Sequence, residues 1–501
     1  MDKFRWQAPT LVSLGLFLVL WLAPPLLGVK PDYLLTDILV FVLIVAMIFL
    51  ISYVRQKPHL REPWREIFHR KLAMASLVVL SVYVLIGLLD SIHFRLPLPK
   101  EAASQEVNYS VQVLSLFDVM VTPLREHTEK TYSAPFAAYL QSKMSVETPR
   151  GETKRIYPRL KYGGAYLKDP ATQKTADILS TAAFTSAVTL VLYIALSLAF
   201  LYWLGRRAGS SLRAVWQRSR AGEGGVPWHV ILTTLGVIVL VVANLTVLSG
   251  DYHVLGTDKV GQDVLFLSLK SIRTGLVIGT LTTLVMLPFA ILLGIMAGYF
   301  KGWIDDLIQY IYTTLLSIPS VLFIAAAILA VQVYIANHAD NFETILDRAD
   351  MRLLALCVVL GITSWTNLCR LLRGESLKVR EMDYIEAATA FGVGHLKIIL
   401  RHILPNVMHI VLIVIVLDFS GLVLAEAVLS YIGVGVDPST ISWGNMINSA
   451  RLELAREPVV WWSLVAAFVF MFTLVLAANL FSDAVRDAFD PRMKRLVGKD
   501  Q

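Results

Sequence analysis

The sequence has two cysteines in 501 residues, Cys357 and Cys369, both in or at the end of one apolar segment. That excludes a disulfide scaffold and the paired spacings of zinc, haem and iron–sulfur sites; both read as small packing residues. Charge is scarce as well. Asp, Glu, Lys and Arg make up 17% of the chain, hydrophobic residues 56%, and the mean hydropathy is +0.62. Soluble domains are about 45–50% apolar, so a soluble chain is excluded and membrane lipid is an expected partner. The net charge of +7 does not call for nucleic acid, because membrane proteins gather Lys and Arg in cytoplasmic loops. No G-x-x-x-x-G-K-[ST] occurs, so no phosphate cradle for ATP is expected here. H-E-x-x-H and any Ser/His/Asp grouping are also missing, which argues against an enzyme and against a metal or cofactor bound directly.

Long apolar runs are what the sequence does have. Runs near 20 residues span a bilayer as helices. Ten stand out, at about 10–28, 34–54, 72–92, 179–204, 228–249, 275–298, 309–335, 352–371, 407–430 and 460–482. The first has no small-x-small cleavage site and reads as a retained helix. The expected fold is an all-α polytopic membrane protein of about ten transmembrane helices with one long extracytoplasmic loop. Loop charge agrees with that count. Segment 55–71 holds Arg55, Lys57, Arg61, Arg65, Arg70 and Lys71, and segment 205–227 holds Arg206, Arg207, Arg213, Arg218 and Arg220. With both termini inside, these and the basic tail (Arg492, Lys494, Arg495, Lys499) face the cytoplasm. The chain divides into a two-helix extension (1–54), a cytoplasmic lead-in and span (55–92), the outer loop (93–178), a hairpin of helices (179–249) and a core (250–501) with a cytoplasmic loop at 373–406. The outer loop mixes charge, aromatics and glycine, and would need help from its neighbours to hold a core.

One charged stretch interrupts the apolar C-terminal half: Asp383–Asn406, DYIEAATAFGVGHLKIILRHILPN. It reads as two short helices joined by glycine. Asp383 is expected to cap the first, with Glu386 closing a capping box, making a polar contact to an Arg or Lys across an interface, or both. Gly392 and Gly394 supply positive φ at its end. Leu396, Ile399, Leu400 and Ile403 form an apolar stripe, and Pro405 suits the first turn of the next helix. Ala387, Ala388 and Ala390 keep the first helix thin enough to enter a groove on another protein.

Together with HVLGTDKVGQDV, LAEAVLSYIGVGVDPSTISWGNM and DAVRDAFDP, this stretch resembles the membrane subunits of binding-protein-dependent ABC importers. The likeness is to the oligopeptide/dipeptide/nickel class, C-type subunit, with KTYSAPF and YGGAYLKDP similar to a microcin C/oligopeptide subgroup. Glu386, Ala387, Ala388, Gly392, Leu404 and Pro405 fit the family's cytoplasmic signature, with His402 where the general pattern has Ile. Leu255, Gly256, Thr257, Asp258, Gly261 and Asp263 fit its outer motif, with Gln262 for the usual Arg and Ser271 for a usual Gly before Arg273. Glu426, Ser430, Gly433, Gly435, Trp443 and Gly444 match the late loop, and Arg486, Asp487, Ala488, Asp490 and Pro491 the tail. The resemblance covers roughly 250–501 and the span 72–92; the other helices and the outer loop are additional.

The resemblance implies a type I importer core in a bacterial cytoplasmic (inner) membrane. A second, distinct permease subunit would complete the pore as a hetero-dimer. Two ATPase subunits carrying ATP and Mg would dock on 373–406, and an extracytoplasmic solute-binding protein would deliver peptide. Nickel or a modified peptide is the alternative cargo, and an ATP-independent secondary transporter the more distant rival. Two acids lie in or near the ninth span. Asp418 either meets a substrate amine or pairs with Ser, Thr or Arg of a neighbouring helix, the second being preferred; Glu426 is expected to shape the outer gate or loop.

Overall fold

The computed structural model describes residues 9–15, 28–56, 58–98, 108–147, 153–207, 209, 216–217, 226–342 and 344–489. A short strand β1 (Lys30–Asp32) leads into α1 (Leu35–Gln56), the amphipathic α2 (Pro58–His69) and α3 (Lys71–Asp90). β2 (His93–Pro97) and β3 (Tyr109–Ser115) follow, and β1, β2 and β3 make one antiparallel sheet in that order. Lys30 pairs with Arg95 and His93 with Ser115, so both termini of the α1–α3 unit end at one rim. We call that rim the loop end. Short helices α4 (Leu116–Met120) and α5 (Thr122–Glu126) and a hairpin, β4 (Met144–Glu147) with β5 (Thr153–Ile156), complete the loop. The all-α expectation holds for the body, and among the described residues the small sheets lie here.

Next come α6 (Pro170–Arg207) and α7 (Trp228–Leu248), an apolar hairpin with few buried residues. Tyr193 Oη donates to the Leu232 carbonyl at 2.6 Å, and Ser186 pairs with Asn244, so the two helices hold each other by polar bonds as well as by packing. The core follows: α8 (Val264–Phe300), α9 (Trp303–Ser317), α10 (Ser320–Asn337), α11 (Ile345–Arg380), α12 (Asp383–Ala390), α13 (His395–Ile398), α14 (Leu404–Ile432), α15 (Trp443–Glu453) and α16 (Trp462–Phe489). α8 is the hub and packs on α3, α11, α14 and α16. Its approach to α11 is close because small residues line the seam. A Cβ at Gly294 would sit 2.8 Å from the Cys369 carbonyl, and one at Gly298 2.6 Å from that of Arg373. Cys357 and Cys369 are buried and free, as packing residues should be.

Among the described residues, eight helical stretches are long and apolar enough to cross a membrane. They coincide with eight of the ten expected spans. The span expected at 10–28 lies largely outside the described residues. That at 352–371 falls inside α11, which is long but more polar than the eight. The span expected at 309–335 is broken. Pro319 keeps Ile318 extended (φ −89°, ψ 128°), and α10 starts afresh after it. The basic residues Lys57, Arg213, Arg218, Arg220, Arg492, Lys494, Arg495 and Lys499 also lie outside the description.

Candidate functional site

The hairpin at 383–403 forms at the end of the body away from β1–β5. α12 and α13 are joined by a turn in which Gly392 has φ +73°, a left-handed conformation that favours glycine. Two sequence expectations fail here. Met382 is the N-cap of α12 and makes no side-chain cap bond; Asp383 is already the first helical residue, so it and Glu386 form no capping box. Gly394 has φ −60° and needs no glycine freedom. Pro405 does stand in the first turn of α14, as expected, but that helix has no free start. The chain is helical from His395 onward, and Ile399–Ile403 forms a π turn that runs straight into Leu404 and Pro405 of α14. Proline lacks the N–H that would bond the Arg401 carbonyl, and a widened turn is one way to absorb that loss. Asn406 Nδ2 donates to the neighbouring His402 carbonyl at 2.8 Å and to Tyr384 Oη at 2.8 Å.

The hairpin has one buried and one bare side. Ile385, Ile398 and Ile403 pack against Tyr299, Leu372 and Val379 of α8 and α11. Tyr299 Oη lies 2.8 Å from His395 Nδ1. On the other side Phe391 is 87% exposed, Leu396 71% and Leu400 55%, with Glu386 and Ala387 also exposed. Leu396 and Leu400 of the expected stripe therefore face outward. Bare aromatic and aliphatic side chains grouped on a hairpin tip mark a contact surface, for a protein or for a membrane.

At the loop end, the motif from Leu255 to Asp263 works as a clasp. Asp258 Oδ1 accepts from the backbone N–H groups of Val260 and Gln262, closing a turn. Thr257 Oγ1 donates to the Thr131 carbonyl and accepts from Ser133 N–H, and Trp462 Nε1 donates to the Thr257 carbonyl at 2.9 Å. Gly261 (φ +79°) accepts no side chain; a Cβ there would stand 1.8 Å from the Glu129 carbonyl oxygen. Gly256 likewise meets the Ser133 carbonyl. Asp263 caps α8, accepting from Leu265 and Phe266 N–H, and its other oxygen lies 2.7 Å from His253 Nδ1. The motif thus fastens residues 129–133 of the 93–178 loop onto the hub helix.

His253 holds the centre of the clasp, with Glu129 Oε1 at 3.9 Å on its far side. Burial alone would lower the imidazole, but the Asp263 and Glu129 carboxylates outweigh it and hold it at about 9. Burial likewise would raise Glu129, yet His253 and the N–H groups of Tyr162 and Lys161 keep its carboxyl below the usual range. The sign of the pH dependence follows. The His253 contribution is full below its ordinary value near 6.5 and is lost as pH rises through about 9. That shift corresponds to about 3 kcal/mol. Hydrogen exchange across 129–136, corrected for the intrinsic pH dependence, is expected to quicken as pH is raised past 9, and a His253→Gln variant to lack the step. A flat corrected profile in the parent would disprove it.

The last loop builds a second knot. Glu426 is buried, and its Oε1 accepts from Ser430 Oγ at 2.7 Å. Ser430 Oγ in turn accepts from Val436 N–H, Gly433 ends α14 in the left-handed region, and Gly435 passes directly over Ser430. Trp443 Nε1 donates to the Ser268 carbonyl at 3.0 Å, tying α15 to α8. Arg352 of α11 reaches the Gly435 carbonyl at 3.2 Å and Asp437 at 3.5 Å. Asp418 is half-buried and has no hydrogen bond or ion pair among the described residues of this chain. Ser420 of the same helix instead donates to Asn479. At the tail, Asp487 pairs with Arg70 at 2.8 Å; Asp490 and Pro491 lie outside the description.

The sequence did not reveal the two ion clusters of α8. Lys270 Nζ contacts Asp90 at 2.8 Å and Asp118 at 2.6 Å. Three residues on, Arg273 Nη2 contacts Asp37 at 2.6 Å and Thr36 Oγ1 at 3.0 Å. His93 Nδ1 lies 2.7 Å from Asp37, and Asp350 accepts from Thr36 N–H at 3.1 Å. Charges beside long apolar runs were the available signal.

The comparisons with known proteins bear on the same regions. Residues 290–495 match the family described as "binding-protein-dependent transport system inner membrane component". The oligopeptide transport system permease protein OppC of Mycobacterium tuberculosis is 31% identical over 247 residues, 49% of this chain and 78% of that one. The glutathione transport system permease protein GsiD of Pectobacterium atrosepticum is 31% identical over 242 residues, 48% and 73% of the two chains. The dipeptide transport system permease protein DppC of Bacillus subtilis is 27% identical over 243 residues, 48% and 70%. With more than two thirds of such a relative aligned at this identity and eight apolar helices of spanning length in the body, the chain belongs to the binding-protein-dependent transport system inner membrane components, a family of multi-pass permeases.

Proposed function

We propose that this chain is one of two permease subunits of an ATP-driven importer of peptides. The observation that carries the reading is the hairpin at 383–403. Its tip is apolar and bare, and its second helix continues unbroken through the π turn into a membrane span. A push on the tip is therefore passed to α14 by helix and to α8 through Tyr299. Separate ATPase subunits, holding ATP and Mg, would supply the push from the cytoplasm. The termini then lie inside the cell and residues 93–178 outside, where a solute-binding protein delivers cargo. Peptide is the proposed cargo because OppC, GsiD and DppC are oligopeptide, glutathione and dipeptide permeases by name. The partner permease would be a distinct chain.

The test is uptake of a labelled tripeptide by cells with and without this gene product, its partners being present. Uptake is expected to fall to background without it and to depend on ATP. Undiminished uptake in its absence would refute the reading.

A further inference from the structure

At the loop end, α15 and the Asp258 turn enclose a cavity of about 400 Å³. Cavities of roughly 300–1,000 Å³ hold drug-sized molecules. Its charged lining is divided. Lys259, Arg451 and Arg456 are exposed, whereas Glu453 is 3% exposed. Tyr132 of the outer loop donates its hydroxyl to Glu453 Oε1 at 3.1 Å, and Arg456 lies over the Tyr132 ring at 5.1 Å. Glu453 Oε2 is buried and has no hydrogen-bond partner. Among the described residues no ion pair to this carboxylate forms, and Lys259 and Arg456 act on it only from farther away. A buried acid left that way is costly, and a cation bonded to it removes the cost.

The arrangement selects among ligands. An anion would meet Glu453, and a purely cationic molecule would have to pass three positive side chains. A zwitterion satisfies both. We infer that this cavity binds the free termini of a short peptide, the α-ammonium on Glu453 and the α-carboxylate on the Lys259, Arg451 and Arg456 rim. The inference rests on the peptide-permease reading and adds a site on the permease itself. Tyr132 makes the outer loop one wall of that site, which gives this loop a part in cargo handling.

The test uses the assembled importer in nanodiscs without its binding protein, with trialanine as the probe. Binding by calorimetry is compared for trialanine, N-acetyl-trialanine and trialanine amide. Each blocked peptide is expected to bind at least about tenfold more weakly, the loss of one charge-assisted hydrogen bond. Glu453→Gln is expected to weaken trialanine by a similar factor and to leave N-acetyl-trialanine unchanged. Arg456→Gln should do the same for trialanine against its amide. The blocked peptides probe the unaltered protein, so a variant that misfolds does not blunt the comparison. Equal binding of free and blocked peptides, or no binding of trialanine, overturns the site. Uptake of labelled trialanine with the binding protein restored is measured alongside. If uptake proceeds while free and blocked peptides bind alike, the cavity assignment falls and the permease reading stands; if uptake is absent, the cargo reading falls as well.

Discussion

Arg273→Ala is expected to release α1 from the body of the protein at a cost of about 3–5 kcal/mol. The reason is the count of charges left behind. Arg273 is the guanidinium on which Asp37 depends, with Nη2 at 2.6 Å, and Asp350 lies at 4.0 Å. Without it, two buried carboxylates are left, Asp37 beside the His93 ring at 2.7 Å and Asp350 on the Thr36 N–H. The exposed pair Arg486–Asp483 makes the contrast, since pairs of that kind contribute about 0–1 kcal/mol. Arg486→Ala should therefore leave stability almost unchanged. Arg273→Met combined with Asp37→Asn should cost less than Arg273→Ala alone, because the uncompensated charge goes with its partner. Melting of the purified protein and protease cleavage near residues 28–34 report the effect. Equal melting temperatures for parent and Arg273→Ala would remove the clamp.

That cluster also shows what a sequence withholds. Apolar runs, a proline in the first turn of a span and a glycine with positive φ are local matters, and local pattern placed eight spans and the 383–403 hairpin. Thr36 and Asp350 are 314 residues apart, and Asp37 and Arg273 are 236 apart. No periodicity connects them; only the packing of α1 on α8 and α11 does. The outer motif shows the same limit. Gly256, Thr257, Asp258, Gly261 and Asp263 were legible as a unit. Their work as a clasp for residues 129–133 depends on a partner segment far back in the chain. The capping box failed for a smaller reason. Asp383 and Glu386 have the right spacing, but α12 begins one residue early at the close of α11, where Met382 N–H bonds Val379. Asp418 is a different case: a half-buried acid suggests a partner, and the described residues of this chain supply none.

Gly392→Pro is expected to abolish coupled transport while leaving the protein in the membrane. Proline holds φ near −65°, and Gly392 sits at +73°. The turn between α12 and α13 therefore has to rearrange, and Phe391 and Leu396, on either side of it, lose their mutual placement. No other crowding at this position resists a side chain, because among the described residues beyond its chain neighbours no atom lies within 4 Å of a Cβ built there. Gly392→Asn, which tolerates left-handed backbone, should consequently keep most activity, and Gly392→Ala should cost only about 1–2 kcal/mol of local strain. Gly394→Ala, at φ −60°, should be close to neutral. Phe391→Asp offers an independent route to the same end, since it keeps the turn and makes the tip polar. Pull-down of the ATPase subunits and ATP-driven uptake are the two readouts, and a tenfold or greater loss of each is expected for Gly392→Pro and Phe391→Asp, about 1.4 kcal/mol or more. If both variants retain their ATPases in full, the bare hairpin is not where ATP-driven motion enters, and the continuous helix from His395 to Ile432 serves the stability of the span alone.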